Sequence, residues 1–218
     1  MSATRVVLLS LLCSAVVCAK NEKAPHTQAK LVIAGMVDQG TDVPQVKNAL
    51  SAASGVKDVM VDWEKKTACV TYDPLKTNAE AIIGSLTKKK KKYTATLDKV
   101  ETIVDTGIGT WVFSTEHASY SPEGKGKLEL AFDPKGGSIK GVKVEWTPPT
   151  KLTLTPTDSE SLAELTTAHT FSADFEVADD AKGPEMLVHA LLTYTAKDAK
   201  GKESSERIEL VGVVVLQK

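Results

Sequence analysis

Apolar positions recur with two different periods along this chain, and the elements change where the period changes. Leu31-Val32-Ile33-Ala34 is an apolar, strand-like run, followed by Gly35-Met36 and a short polar loop. From Val43 to Ala53 the residues Val43, Val46, Ala49, Leu50 and Ala53 recur at the three- and four-residue spacing of an amphipathic helix. Asp42 stands where an N-cap is wanted, and Pro44 falls in the first turn, where its missing N–H has no helical partner to lose. Gly55 sits just past the helix end, a place for a left-handed residue. Val59 to Trp63 and Ala68 to Tyr72 then predict two strands, and Asp73-Pro74 breaks the chain. A second helix is predicted from Asn78 to Leu86 on the stripe Ala79, Ile82, Ile83 and Leu86, and a last strand from Tyr93 to Leu97.

That order, strand-helix-strand-strand-helix-strand, is the split βαβ pattern of a ferredoxin-like domain: a four-stranded antiparallel sheet with two helices on one face. From Phe113 the pattern becomes short alternating runs. Lys127 to Phe132 and Ile139 to Trp146 flank the turn cluster Asp133 to Ser138 and read as a β-hairpin. Lys151 to Thr155 and His169 to Val177 follow the break at Thr147-Pro148-Pro149. Met186 to Thr195 and Arg207 to Leu216 are the longest strands, joined by the charged turn Lys197 to Ser205. About seven strands with turn signals between them predict an antiparallel β-sandwich. The expected fold class is α+β, a ferredoxin-like βαββαβ domain followed by an antiparallel β-sandwich domain. The expected division is a signal peptide over 1–19, a linker over 20–28, the first domain over 29–98, a linker over 99–112 and the second domain over 113–218.

The element order and the loop Gly35-Met36-Val37-Asp38-Gln39-Gly40-Thr41-Asp42 resemble the heavy-metal-associated family of copper chaperones and periplasmic mercury-binding proteins. In that family the loop reads Gly-Met-x-Cys-x-x-Cys and its two thiolates hold a soft ion, because soft sulfur prefers soft metal. Here both thiols are missing. Counting forward from Met36 puts the first thiol position at Asp38, and counting back from Ala49 puts the second at Asp42, one residue more than the family spacing allows. The loop is therefore expected to hold an insertion, with Met36 packed beneath it as the resemblance implies. The run Leu191-Leu192-Thr193-Tyr194-Thr195-Ala196-Lys197-Asp198 resembles the end of the sandwich domain of thiol-disulfide interchange proteins. That family has a cysteine pair around this turn and this chain has none, so the likeness implies a sandwich and no redox chemistry.

The N-terminus points to export. Arg5 supplies a positive charge, Val6 to Val17 is an apolar core of signal-peptide length, and Val17-Cys18-Ala19 offers small residues for cleavage near Ala19–Lys20. The apolar stretch is shorter than the roughly 20 residues a bilayer span needs. Neither Cys13 nor Cys18 follows an Ala or Gly, which makes a lipoprotein the weaker reading. A periplasmic or secreted protein with no transmembrane segment after cleavage is expected. Cleavage leaves Cys69 alone, in an alternating run that marks a small buried residue rather than a ligand. The formal net charge of −1 gives no global field for nucleic acid.

Candidate chemistry is sparse. Asp38 and Asp42 are the candidate metal residues, as hard oxygen ligands, but two carboxylates in a loop make a weak site. A cap role for Asp42 and a solvated loop charge for Asp38 are the expected ones. The four histidines, His26, His117, His169 and His189, share no zinc-like spacing. Lys88 to Lys92 reads as a solvated helix C-terminus, where cations suit the dipole; the rival reading docks an acidic partner or anionic lipid there. No Gly-rich phosphate loop, Gly-x-Ser-x-Gly elbow or Ser/His/Asp grouping is present, and no enzyme is expected. The expected function is an exported interaction module built on a degenerate heavy-metal-associated domain, with no cofactor and another envelope protein as partner. The alternative is metal binding or metal homeostasis with ligands outside the family motif.

Overall fold

The computed structural model describes residues 24–217. The expected export signal, with Cys13 and Cys18, lies outside the described residues. Strands β1 (His26–Ala34), β2 (Val56–Asp62), β3 (Thr67–Tyr72) and β4 (Thr94–Asp105) pair antiparallel in the order β2-β3-β1-β4. Helix α1 (Gln39–Ser51) joins β1 to β2, and α2 (Ala79–Lys89) joins β3 to β4. Both helices lie on one face: Val46, Leu50, Ile82 and Leu86 meet Leu31, Ile33, Val59, Val70 and Tyr72 in a single core. This is the ferredoxin-like arrangement that the periodicity predicts.

The two expected linkers are corrected. β4 does not stop at Leu97 but runs on to Asp105 and pairs with β5 (Gly109–Thr115), so most of residues 99–112 is strand. The reason is local alternation: Val100, Thr102 and Val104 are buried while Lys99, Glu101 and Ile103 between them are not, a period of two hidden among polar side chains. At the other end, His26, Thr27 and Gln28 belong to β1 and are buried, although residues 20–28 read as a linker.

Beyond β5 the same sheet continues through β6 (Lys125–Pro134), β10 (His169–Val177) and β8 (Leu152–Asp158), giving eight strands in one surface. A second sheet has the order β12 (Glu203–Val215), β11 (Glu185–Lys197), β7 (Ser138–Thr147) and β9 (Glu160–Ser161). The two sheets enclose a second core, in which Trp111, Phe113, Phe132 and Phe171 meet Val142, Val188, Leu192 and Leu210. The expected β6–β7 hairpin does not form. β6 pairs with β5 and β10, whereas β7 pairs with β11 and β9, so the turn between them crosses from one sheet to the other. Each strand has one buried face, and those faces meet across the core rather than lying side by side. The β11–β12 hairpin does form, in unbroken register from Glu185↔Val215 to Lys197↔Glu203.

β12 is a wall shared by the two cores. Leu210 and Val214 belong to the second core, whereas Val213 and Val215 belong to the first. A strand buried on both faces reads as continuously apolar rather than alternating, as Val211 to Leu216 does. Gly212 lets β12 approach β5, because a Cβ there would collide with the Phe113 ring. Across the seam the Thr102 hydroxyl donates to the Val211 carbonyl at 2.6 Å and lies 3.0 Å from the Thr27 hydroxyl. No helix among the described residues is long and apolar enough to cross a membrane.

Candidate functional site

The loop between β1 and α1 is where the sequence places its candidate metal residues. α1 starts earlier than predicted, at Gln39, and this moves the cap from Asp42 to Asp38 and places Asp42 inside the fold. Asp38, not Asp42, is the N-cap: its Oδ1 accepts from the Thr41 backbone N–H at 2.8 Å and from the Thr41 hydroxyl at 2.7 Å. These two donors hold the Asp38 carboxyl below the usual carboxylate range. Asp42 lies in the first turn and is buried, with 1 % of its surface exposed.

Four donors converge on Asp42. Its Oδ2 accepts from the backbone N–H groups of Val37, at 2.6 Å, and Asp38, at 3.0 Å. Its Oδ1 accepts from Lys92 Nζ and from the Tyr93 hydroxyl, each at 2.8 Å. Lys92 most of all, then the backbone donors, hold the Asp42 carboxyl well below the ordinary value. Burial, reinforced by Asp42, pushes the Tyr93 hydroxyl up to about 12. Gly35 makes the geometry available. It has φ +91°, and a Cβ there would collide with the Lys92 carbonyl oxygen, so the loop and the end of the lysine run touch backbone to backbone.

The lysine run is an exposed helix end, as predicted, and one of its members also reaches back to the loop. α2 stops at Lys89, Lys90 caps it through an N–H bond to the Leu86 carbonyl at 2.8 Å, and Lys92 folds back onto Asp42. Lys88 to Lys92 are all exposed, and Val37 in the loop is 76 % exposed. Sequence reasoning missed Lys92 and Tyr93. Their one signal is a lysine directly before an aromatic residue at a strand start, and nothing in it points to a residue 50 positions away.

The arrangement closes the loop and offers little to an ion. A carboxylate with four donors is neither a free base nor a free ligand, and the Lys92 ammonium repels an incoming cation. The loop's one sulfur, on Met36, is buried beneath it. The residues present do not fit the soft ion that the resemblance implies, since their oxygens are hard and already engaged. Among the described residues, no three His, Cys, Asp or Glu side chains are grouped to hold a metal. Cys69 is half-buried rather than fully buried, and its thiol donates to Gln28 Oε1 at 3.2 Å. His169 and His189 sit beside Asp158 and Glu209, at 3.3 and 3.0 Å, on separate sheets.

Comparison with known proteins places the first unit. The model of the heavy-metal-associated domain matches residues 43–92, and that stretch is a heavy-metal-associated domain. The match begins after the loop, leaving residues 35–42 outside it. Oxidized MerP from Ralstonia metallidurans CH34 is similar at 28% identity, over 34% of this chain and 97% of that one, with a TM-score of 0.31. The mercury-bound form of MerP, the periplasmic protein from the bacterial mercury detoxification system, is similar at 29% identity, over 33% and 97%, with a TM-score of 0.28. A FixG-related protein from Vibrio parahaemolyticus shares 8% identity over 44% of this chain and 82% of that one, with a TM-score of 0.27. No curated protein matches the chain.

Proposed function

We propose that this chain is an exported, non-enzymatic interaction module of the cell envelope, in which a heavy-metal-associated domain has exchanged its metal for an internal ion pair and is joined to a β-sandwich domain. The observation that carries this reading is the Asp42–Lys92 pair at 2.8 Å, which closes the loop with a cation the chain itself supplies. The exposed residues that neighbour the pair along the chain, Val37 in the loop and Lys89, Lys90 and Lys91 before Lys92, suit an acidic partner surface with a small apolar contact. Each near-surface charge of this kind contributes up to about 1 kcal/mol. Neither nucleic acid nor a cofactor enters this reading.

Titration of the mature protein with copper(I), mercury(II), zinc and calcium tests the loss of the ion, and no stoichiometric tight binding is expected. Photo-crosslinking from position 37 in the native host tests the interaction. A discrete protein adduct that disappears in a Lys89→Glu, Lys90→Glu, Lys91→Glu variant is expected, and no adduct at all removes the reading. The match of residues 43–92 to a metal-handling family supports a second reading, metal binding with ligands outside the loop. Tight copper(I) binding that is lost in Cys69→Ser selects that one instead.

A further inference from the structure

Two carboxylates in the interior of this protein are treated in opposite ways. Asp42 receives four donors. Glu185, at the start of β11, receives one: its Oε1 accepts the Ala79 N–H at 2.6 Å, across 106 residues of sequence. Ala79 opens α2, so this bond ties the C-terminal sheets to the helix of the heavy-metal-associated domain. The other oxygen, Oε2, is buried without a hydrogen-bond partner, and so is the Tyr72 hydroxyl on β3. Each unmet group costs free energy in the interior.

We propose that Glu185 is a protonation-controlled clasp: neutral, it holds the start of α2 against the C-terminal sheets, and ionised, it weakens that junction. A buried carboxylate with one donor is poorly solvated, whereas the neutral acid keeps the Ala79 bond and turns its second oxygen into a donor. Among the described residues, only the Ala79 N–H at the mouth of α2 is shown to favour the charge. β3 presents Tyr72, whose hydroxyl is raised by burial and then by Glu185 itself. The first turn of α2 adds no cation, its one charged residue being the exposed Glu80, and β12 faces the first core with Val213 and Val215. Burial accordingly pushes the Glu185 carboxyl up to about 7, partly offset by the Ala79 bond.

The sign follows from linkage. Below the ordinary value of 4.5 both folded and unfolded chains hold the proton, and the junction is strongest. Between 4.5 and about 7 the unfolded chain has released it while the folded chain has not, so stability falls as pH rises and levels off above that window. The full window corresponds to at most roughly 300-fold in the folding equilibrium. The proton exchanges with solvent, and no other reactant is needed.

The test uses the full mature chain. The side-chain carboxyl carbon of Glu185 is followed by NMR across about pH 4 to about pH 9, and hydrogen exchange at the Ala79 amide is followed over the same range. A titration midpoint near neutrality is expected. Ala79 protection, corrected for intrinsic exchange, is expected to fall at least about tenfold as the pH rises from about 4.5 to that midpoint, to level off above it, and to stay level throughout in Glu185→Gln. A midpoint in the ordinary carboxylate range overturns the proposal, as does an equal fall in Glu185→Gln. If that variant does not fold, the wild-type midpoint decides alone.

Discussion

Lys92 Nζ lies 2.8 Å from Asp42 Oδ1, on the one carboxylate among the described residues that receives four donors. The pair ties the mouth of α1 to the end of the lysine run, where the resembled family holds its ion. It also explains why a charged residue is tolerated at 1 % exposure: both oxygens that burial removes from water are met by donors.

Restoring thiols alone is expected to give poor metal binding. Asp38→Cys with Thr41→Cys rebuilds a Cys-x-x-Cys spacing but removes the helix cap and leaves Lys92 and Asp42 at the loop mouth. Competition against a copper(I) chelator checks this. Full rescue to tight stoichiometric binding means that the loop still has family geometry and that the ion pair is no obstacle.

Asp42→Asn is expected to lower the thermal midpoint at neutral pH, since an amide cannot accept from all four donors at once. The pH dependence carries a second signature. The Asp42 carboxyl titrates below its ordinary value of 3.8, so its stabilisation is present above that pH and lost as pH falls through the folded value. Acid unfolding should therefore be shallower below about pH 4 in the variant than in the wild type. Parallel acid limbs in the two proteins count against the role assigned to Asp42.

Thr102→Val keeps the shape of the side chain but leaves the Val211 carbonyl without its 2.6 Å donor. A loss of about 1–3 kcal/mol in urea unfolding is expected, the usual cost of an unmet buried polar group. An unchanged midpoint would show that the seam between β4 and β12 relies on apolar packing alone.

Gly212→Ala places a methyl group against the Phe113 ring. A cost of about 1–3 kcal/mol is expected from overpacking. Because β12 contributes Leu210 and Val214 to one core and Val213 and Val215 to the other, both cores should weaken together. Calorimetry is expected to show one transition at lower temperature; two separated transitions would mean that the cores unfold independently.

Export is checked by N-terminal sequencing of the protein from its native host. A mature chain starting near Lys20 is expected from Arg5, the apolar run and Val17-Cys18-Ala19. A chain still beginning at Met1 refutes the compartment and returns Cys13 and Cys18 to the mature protein.

Local burial periodicity makes the first unit legible in the sequence alone. Both helices and the first three strands occur in the order that the three-to-four and two-residue patterns predict, although β1 and α1 begin at His26 and Gln39, well before the periodic runs do; the patterns record which side of an element meets the core, not where it starts. The missing thiols are equally plain, since ligand chemistry belongs to residue identity. Periodicity does not record which strand lies alongside. β6 and β7 look like a hairpin on their alternation, and only the second core, which wants both buried faces turned inward, sends them to different sheets. Likewise the apolar run Val211 to Leu216 marks a strand buried on both faces, but that the faces belong to two cores is decided by the position of β12. The pairing of Asp42 with Lys92, and of Glu185 with Ala79, spans 50 and 106 residues. No local pattern carries such a distance: these contacts exist because the sheet brings distant backbones together, and their electrostatics follow from how many donors each carboxylate then finds.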